Sequence, residues 1–266
     1  VLAFGLDGVK RWEFTSEMDP AVYAAAKQYW FKSAHPGIYG LSSGVFMDGK
    51  SQAFVGSACT LEILDGAGQL VKRLPVFWGP GWRFTLIDGP GGTRQLLDSR
   101  WPNDGVAAAV IDSVTLEVGG GFTSVPNGHA NIGGWTAMNR PFTFYTDLDA
   151  DGAREVISAI NGVWNRVTVW DAAGRARHNV QFGAGEKAPA VTISGMDVSD
   201  IDGDGKQEVL VAKQPARMVV ALDSALGKRW STMLPSEPTA LRALPSEGGK
   251  AVVVAACADG SVICLD

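Results

Sequence analysis

Six short strand-like stretches of this chain each end in an apolar residue followed by aspartate. They are Leu6-Asp7, Leu64-Asp65, Ile111-Asp112, Trp170-Asp171, Leu222-Asp223 and Leu265-Asp266. The aspartates recur about every 43 to 59 residues. After most of them a small residue or glycine leads into another strand-like stretch. Asp7 to Phe14, Asp65 to Leu74, Asp171 to His178 and Asp223 to Trp230 show this best, and Asp112 least. Aspartate ahead of glycine between two short strands is hairpin-turn chemistry. A unit repeated at this period cannot bury its apolar face alone and must stack on its neighbours.

A second element precedes these hairpins. Asp147-Leu-Asp149-Ala-Asp151-Gly-Ala-Arg-Glu155 and Asp200-Ile-Asp202-Gly-Asp204-Gly-Lys-Gln-Glu208 share the pattern D-x-D-x-D-G-x-x-E. Each runs into an apolar stretch, Val156-Ile-Ser-Ala or Val209-Leu-Val-Ala. Asp48-Gly49, Asp88-Gly89 and Glu247-Gly-Gly hold the same place without the aspartate series. One unit therefore reads strand A, acidic or glycine-rich turn, strand B, hairpin, strand C ending in Asp, tight turn, strand D. In the clearest copy A is Phe142 to Thr146, B is Val156 to Ile160, C is Arg166 to Trp170 and D is Arg177 to Phe182. Repeated four-stranded meanders of this size predict an all-β fold, a β-propeller of antiparallel blades. About five blades are visible over residues 1–266, read as one propeller domain or a propeller fragment. The chain starts with strands C and D and stops at a strand C. That fits either a piece of a larger ring or a five-bladed ring closed by its own ends. Pro20 to Lys32 reads equally as a short helix or as strand and loop.

The 266 residues, 46% of them hydrophobic, suffice for a large core. No stretch approaches the ~18 apolar residues of a membrane span. Net charge is −5, and no basic stripe of the kind nucleic-acid binding needs is present. The chain begins within a strand-like segment and without a leader pattern, as a processed product or a piece of a longer protein would. Of Cys59, Cys257 and Cys264, the last two flank Asp259-Gly260. A two-residue turn there sets Cys264 opposite Ala255, which leaves both cysteines as small buried hydrophobes, not a disulfide.

Alternating carboxylates, a glycine and a closing glutamate can wrap one hard cation. Left bare, four carboxylates within nine residues repel one another. The ligand candidates are Asp147, Asp149, Asp151 and Glu155 for one ion and Asp200, Asp202, Asp204 and Glu208 for another. Calcium suits a many-oxygen loop better than magnesium does. The ions read as structural ties between strands A and B. His35, His129 and His178 have no His or Cys partner at metal-ligand spacing, and His178 falls on an exposed outer strand. No nucleophile elbow or phosphate loop is visible. Trp12 and Trp230 hold a repeat position and are expected to pack between blades. Trp78, Trp82, Trp101 and Trp135 lie among Gly, Pro and Asn. With Arg100 and Arg140, and with Asn103, Asp104 and Asn139 nearby, they form a candidate glycan surface.

The acidic loops followed by Glu-Val-(Ile/Leu)-x-x-Ala resemble FG-GAP and VCBS-type repeats of secreted bacterial proteins. The hairpins at Leu6 to Trp12 and Leu222 to Trp230 look like PQQ-like propeller repeats. The resemblance implies a propeller with calcium in the A–B loops, carried over to the eight acidic residues above and not to the turns at 48, 88 and 247. It implies an extracellular or periplasmic recognition module for carbohydrate or protein, attached to further blades or domains. Rhamnogalacturonan-type polysaccharide lyases are similar and give the alternative, a propeller that is the body of a lyase. Their active-site motifs are not found here.

Overall fold

The computed structural model describes residues 1–17, 20–21, 37–57, 60–75, 83–99, 106–123, 142–161, 165–182, 191–246 and 250–265. The chain packs as two compact units, Val1–Phe122 and Thr123–Asp266.

In the first unit, β1 (Leu2–Phe4) and β2 (Lys10–Glu13) form a two-stranded sheet. Strands β3 (Gly40–Val45), β4 (Ser51–Ser57), β5 (Thr60–Leu64) and β6 (Leu70–Pro75) form a four-stranded meander. A second meander holds β7 (Arg83–Asp88), β8 (Arg94–Ser99), β9 (Val106–Asp112) and β10 (Val118–Thr123). In the second unit, β11 (Phe142–Thr146), β12 (Glu155–Ile160), β13 (Arg166–Trp170) and β14 (Ala176–Gln181) make one meander. The next contains β15 (Thr192–Ser199), β16 (Glu208–Gln214), β17 (Met218–Leu222) and β18 (Lys228–Met233). A three-stranded sheet follows, with β19 (Pro238–Pro245), β20 (Ala251–Cys257) and β21 (Val262–Leu265). The strands of the clearest repeat fall within one residue of the boundaries read from sequence.

In the two four-stranded sheets of the second unit, burial follows position within the sheet. Every residue of β13 is buried, whereas β14 is exposed over most of its length. The same contrast holds between β17 and β18. Middle strands are covered on both faces and so carry continuous apolar runs; the outermost strands are polar, which blunts their open edge. Apolar side chains pack between consecutive sheets. Phe54, Leu61 and Ile63 meet Phe84, Leu96 and Ile111 in the first unit. In the second, Ile157 and Val169 meet Met196, Val209 and Val211. The other face of that second sheet, with Leu210 and Val219, meets Leu241 and Val253. Trp230 packs against this last cluster, as its repeat position predicts.

The recurring aspartates are turn residues. Asp65 Oδ1 accepts the backbone N–H groups of Ala67 and Gln69, both at 2.9 Å. Asp171 Oδ1 accepts those of Ala173 and Arg175 at 3.0 Å, and Asp223 Oδ1 those of Ala225 and Gly227 at 3.0 and 2.7 Å. Each turn carries one residue in the left-handed region before strand D begins: Gly68 (φ 79°), Gly174 (φ 76°) or Leu226 (φ 64°). That extra residue shifts the hairpin register by one.

The same bulge corrects two expectations. The hairpin at Asp259 has Gly260 at φ 86°, so Cys264 lies opposite Val254, not Ala255. Cys257 is buried and Cys264 is exposed, and both are free thiols. In the first copy the turn starts at Gly5, whose carbonyl accepts the Gly8 N–H. Leu6 and Asp7 therefore sit within the turn, and Leu6 is fully exposed. Most of Pro20 to Lys32, and also His35, His129 and Cys59, lie outside the described residues.

Candidate metal centre

The two acidic loops join β11 to β12 and β15 to β16, at the A–B position expected. In each, the backbone curls so that three carboxylates converge. Oxygens of Asp147, Asp149 and Glu155 all lie within 4.8 Å of one another, as do those of Asp200, Asp202 and Glu208. Asp151 and Asp204 fall outside these groups. Each instead accepts the N–H of the residue two positions on, Ala153 at 2.7 Å and Lys206 at 2.8 Å.

The loops share an internal scaffold. The Leu148 N–H donates to Glu155 Oε2 at 2.9 Å, and the Ile201 N–H to Glu208 Oε2 at 3.0 Å. The Gly152 N–H donates to Asp147 Oδ2 at 3.0 Å, and the Gly205 N–H to Asp200 Oδ2 at 2.8 Å. Both glycines have positive φ, 91° and 88°, where a side chain is strained. The closing glutamate thus begins strand B and pins the loop at once. At the turn near Asp48 a neutral residue does this: Gln52 Oε1 accepts the N–H groups of Phe46 and Met47. That turn gathers no converging carboxylates among the described residues.

Charge crowding shows in the glutamates. Burial raises the Glu155 carboxyl above its ordinary value, and Asp149, Asp151 and Asp147 add to the rise. Burial raises Glu208 too, against the pull of the Ile201 N–H and Arg229. Asp200 is lowered: four backbone N–H groups, from Gly205, Gly203, Asp204 and Asp202, outweigh its burial.

The loops differ in what balances the charge. Arg229 on β18 donates through Nη2 to Asp202 Oδ2 at 2.6 Å and through Nη1 to Glu208 Oε1 at 2.5 Å. Its counterpart Arg177 on β14 turns instead to Asp171 Oδ2, at 3.0 Å, beside Arg175 at 2.9 Å. In the first loop Asp147 Oδ1 is shielded from solvent and has no hydrogen-bond partner among the described residues. A cavity of about 310 Å³ opens beside the loop, lined among others by Asp149, Asp151, Glu155, Arg177 and His178. An all-carboxylate donor set with a stranded buried oxygen fits a hard cation. Both acidic clusters could hold a metal ion.

Sequence reasoning missed the arginines. Their signal was a basic residue six positions after the repeat aspartate, Asp171 to Arg177 and Asp223 to Arg229. His178 is exposed, as expected. The candidate glycan residues Trp78, Trp82, Arg100, Trp101, Trp135 and Arg140 lie outside the described residues, together with Asn103, Asp104 and Asn139.

No protein-family model and no curated protein matches the sequence. Solved β-propellers do match the fold. BBS1N in complex with ARL6DN superposes with a TM-score of 0.58 at 13% identity, over 88% of this chain and 67% of that one. The Dos1 propeller gives 0.56 at 14% identity, over 98% of this chain and 60% of that one. BamB from Moraxella catarrhalis gives 0.51 at 17% identity, over 89% and 63%. The chain spans about two thirds or less of the length of these structures. The likeness establishes the propeller fold; it establishes no family.

Proposed function

We propose that this chain is a calcium-stiffened recognition module that works outside the cytosol and presents propeller loops to a protein partner. The observation that carries the metal reading is the first acidic loop. There three carboxylates converge, and a buried Asp147 oxygen has no partner of its own. Calcium is favoured because the donors are all oxygens, and because extracellular calcium is abundant enough to fill modest sites. Its role is structural: the ion ties strand A to strand B. The propeller fold supports the recognition reading, since BBS1N, similar in fold, is seen in complex with ARL6DN. Fold alone does not give function, and propellers host many.

The test has two parts. Metal-free protein is titrated calorimetrically with calcium and with magnesium, and calcium should bind the tighter of the two. The protein is then incubated with a panel of acidic polysaccharides and read for glycan binding and for unsaturated uronate absorbance. Neither signal is expected. Uronate absorbance would replace recognition by lyase chemistry, and binding without turnover would make the ligand a glycan. No calcium heat would remove the metal from the account.

A further inference from the structure

Two loops of one sequence pattern meet two different neighbours. In the second, the Arg229 guanidinium spans Asp202 and Glu208, two of the three converging carboxylates. A fork of fixed donors matches two carboxylates well. Asp200 is satisfied as well, by the N–H groups of Gly203 and Gly205 at 2.7 and 2.8 Å. In the first loop Arg177 occupies the same register position, since Ala176 pairs with Trp170 as Lys228 pairs with Leu222. Yet Arg177 is drawn to Asp171, which it shares with Arg175. Position 175 corresponds to Gly227 in the second sheet, so no second arginine helps to draw Arg229 toward Asp223. The first loop is left with a stranded buried oxygen on Asp147 and a cavity lined by its Asp149 and Glu155.

We infer that Arg229 is a built-in cation that competes with the metal for the second acidic loop, so that the first loop fills at low metal concentration and the second only at high. This rests on the calcium reading above. A divalent ion entering the first loop meets carboxylates that, among the described residues, no arginine fork bridges. One entering the second must displace two charge-assisted hydrogen bonds. The second loop therefore keeps its shape without metal, and the first depends on it. The device sets one blade's stiffness by the calcium concentration and leaves its neighbour's unchanged.

The test is calcium titration of the metal-free chain by calorimetry, in the wild type and five variants. The wild type should bind in two unequal steps. Asp149→Asn should remove the tight step and Asp202→Asn the weak one. Arg229→Gln should tighten the weak step at least ~10-fold, about one charge-assisted hydrogen bond's worth. Arg177→Gln should leave the weak step unchanged. Arg229→Lys, which keeps the charge and loses the fork, gives an intermediate shift and guards against a misfolded glutamine variant. Near-ultraviolet circular dichroism at saturating calcium confirms the fold of each. Two equal steps that Arg229→Gln does not alter would overturn the inference and leave calcium binding standing. No calcium binding in any form would instead remove the reading beneath it.

Discussion

The indole of Trp12 rests on Gly68: a Cβ built on Gly68 would lie 2.5 Å from Trp12 Cδ2. The indole N–H also donates to the Gly66 carbonyl at 3.1 Å. A strand-D tryptophan of one sheet thus covers the tight turn of the next, and the turn glycine makes room for it. Gly68 is also at φ 79°. Gly68→Ala meets both a ring and a left-handed backbone, and should cost about 1–3 kcal/mol in chemical denaturation. Gly260, at a similar φ but with open space around it, should lose less on the same substitution.

Asp171 ties its turn through two backbone N–H groups and two arginines, and its side chain is only 12% exposed. Burial raises its carboxyl, but the Arg175 N–H and the Arg175 and Arg177 side chains pull it further down, below the ordinary 3.8. A depressed carboxyl contributes stability that is present above the unfolded value and is lost as pH falls through the folded one. Asp171→Ala should therefore lose about 1.5–3 kcal/mol at neutral pH. The gap from wild type should begin to narrow as pH falls below ~3.8, where the unfolded carboxyl takes up its proton, and close only below the lower folded value. Urea melts in steps from pH 7 downward through the acid range follow the narrowing.

Glu62 is fully buried on β5, and Arg73 of β6 reaches it at 2.8 Å. Removing one partner of a buried pair strands the other charge, so Arg73→Ala should cost about 3–5 kcal/mol. The double change Glu62→Leu with Arg73→Leu should recover most of that loss. A double-mutant cycle by denaturation checks it.

The repeat unit was legible because its signals are local. Alternation, the apolar run after each acidic loop and the aspartate before each turn all act within a few residues, and β11 to β14 fall where they were read. The turn geometry was less so. Leu226 and Leu116 adopt φ of 64° and 56°, conformations that sequence assigns to glycine. One left-handed residue at Gly260 shifted the whole pairing of Cys264. The acidic loops were recognisable from carboxylate spacing alone. Their different neighbours were not, because Arg229 reaches Asp202 across 27 positions of sequence. Contacts of that range depend on packing, which no local pattern encodes.

Thermal unfolding with and without metal tests the central claim most directly. The account predicts that a chelator lowers the melting temperature of the wild-type chain and that added calcium restores it. Asp149→Asn should melt near the chelated value in either condition. A wild-type melting curve that is the same in chelator and in excess calcium would contradict the claim that a metal ion holds the first acidic loop.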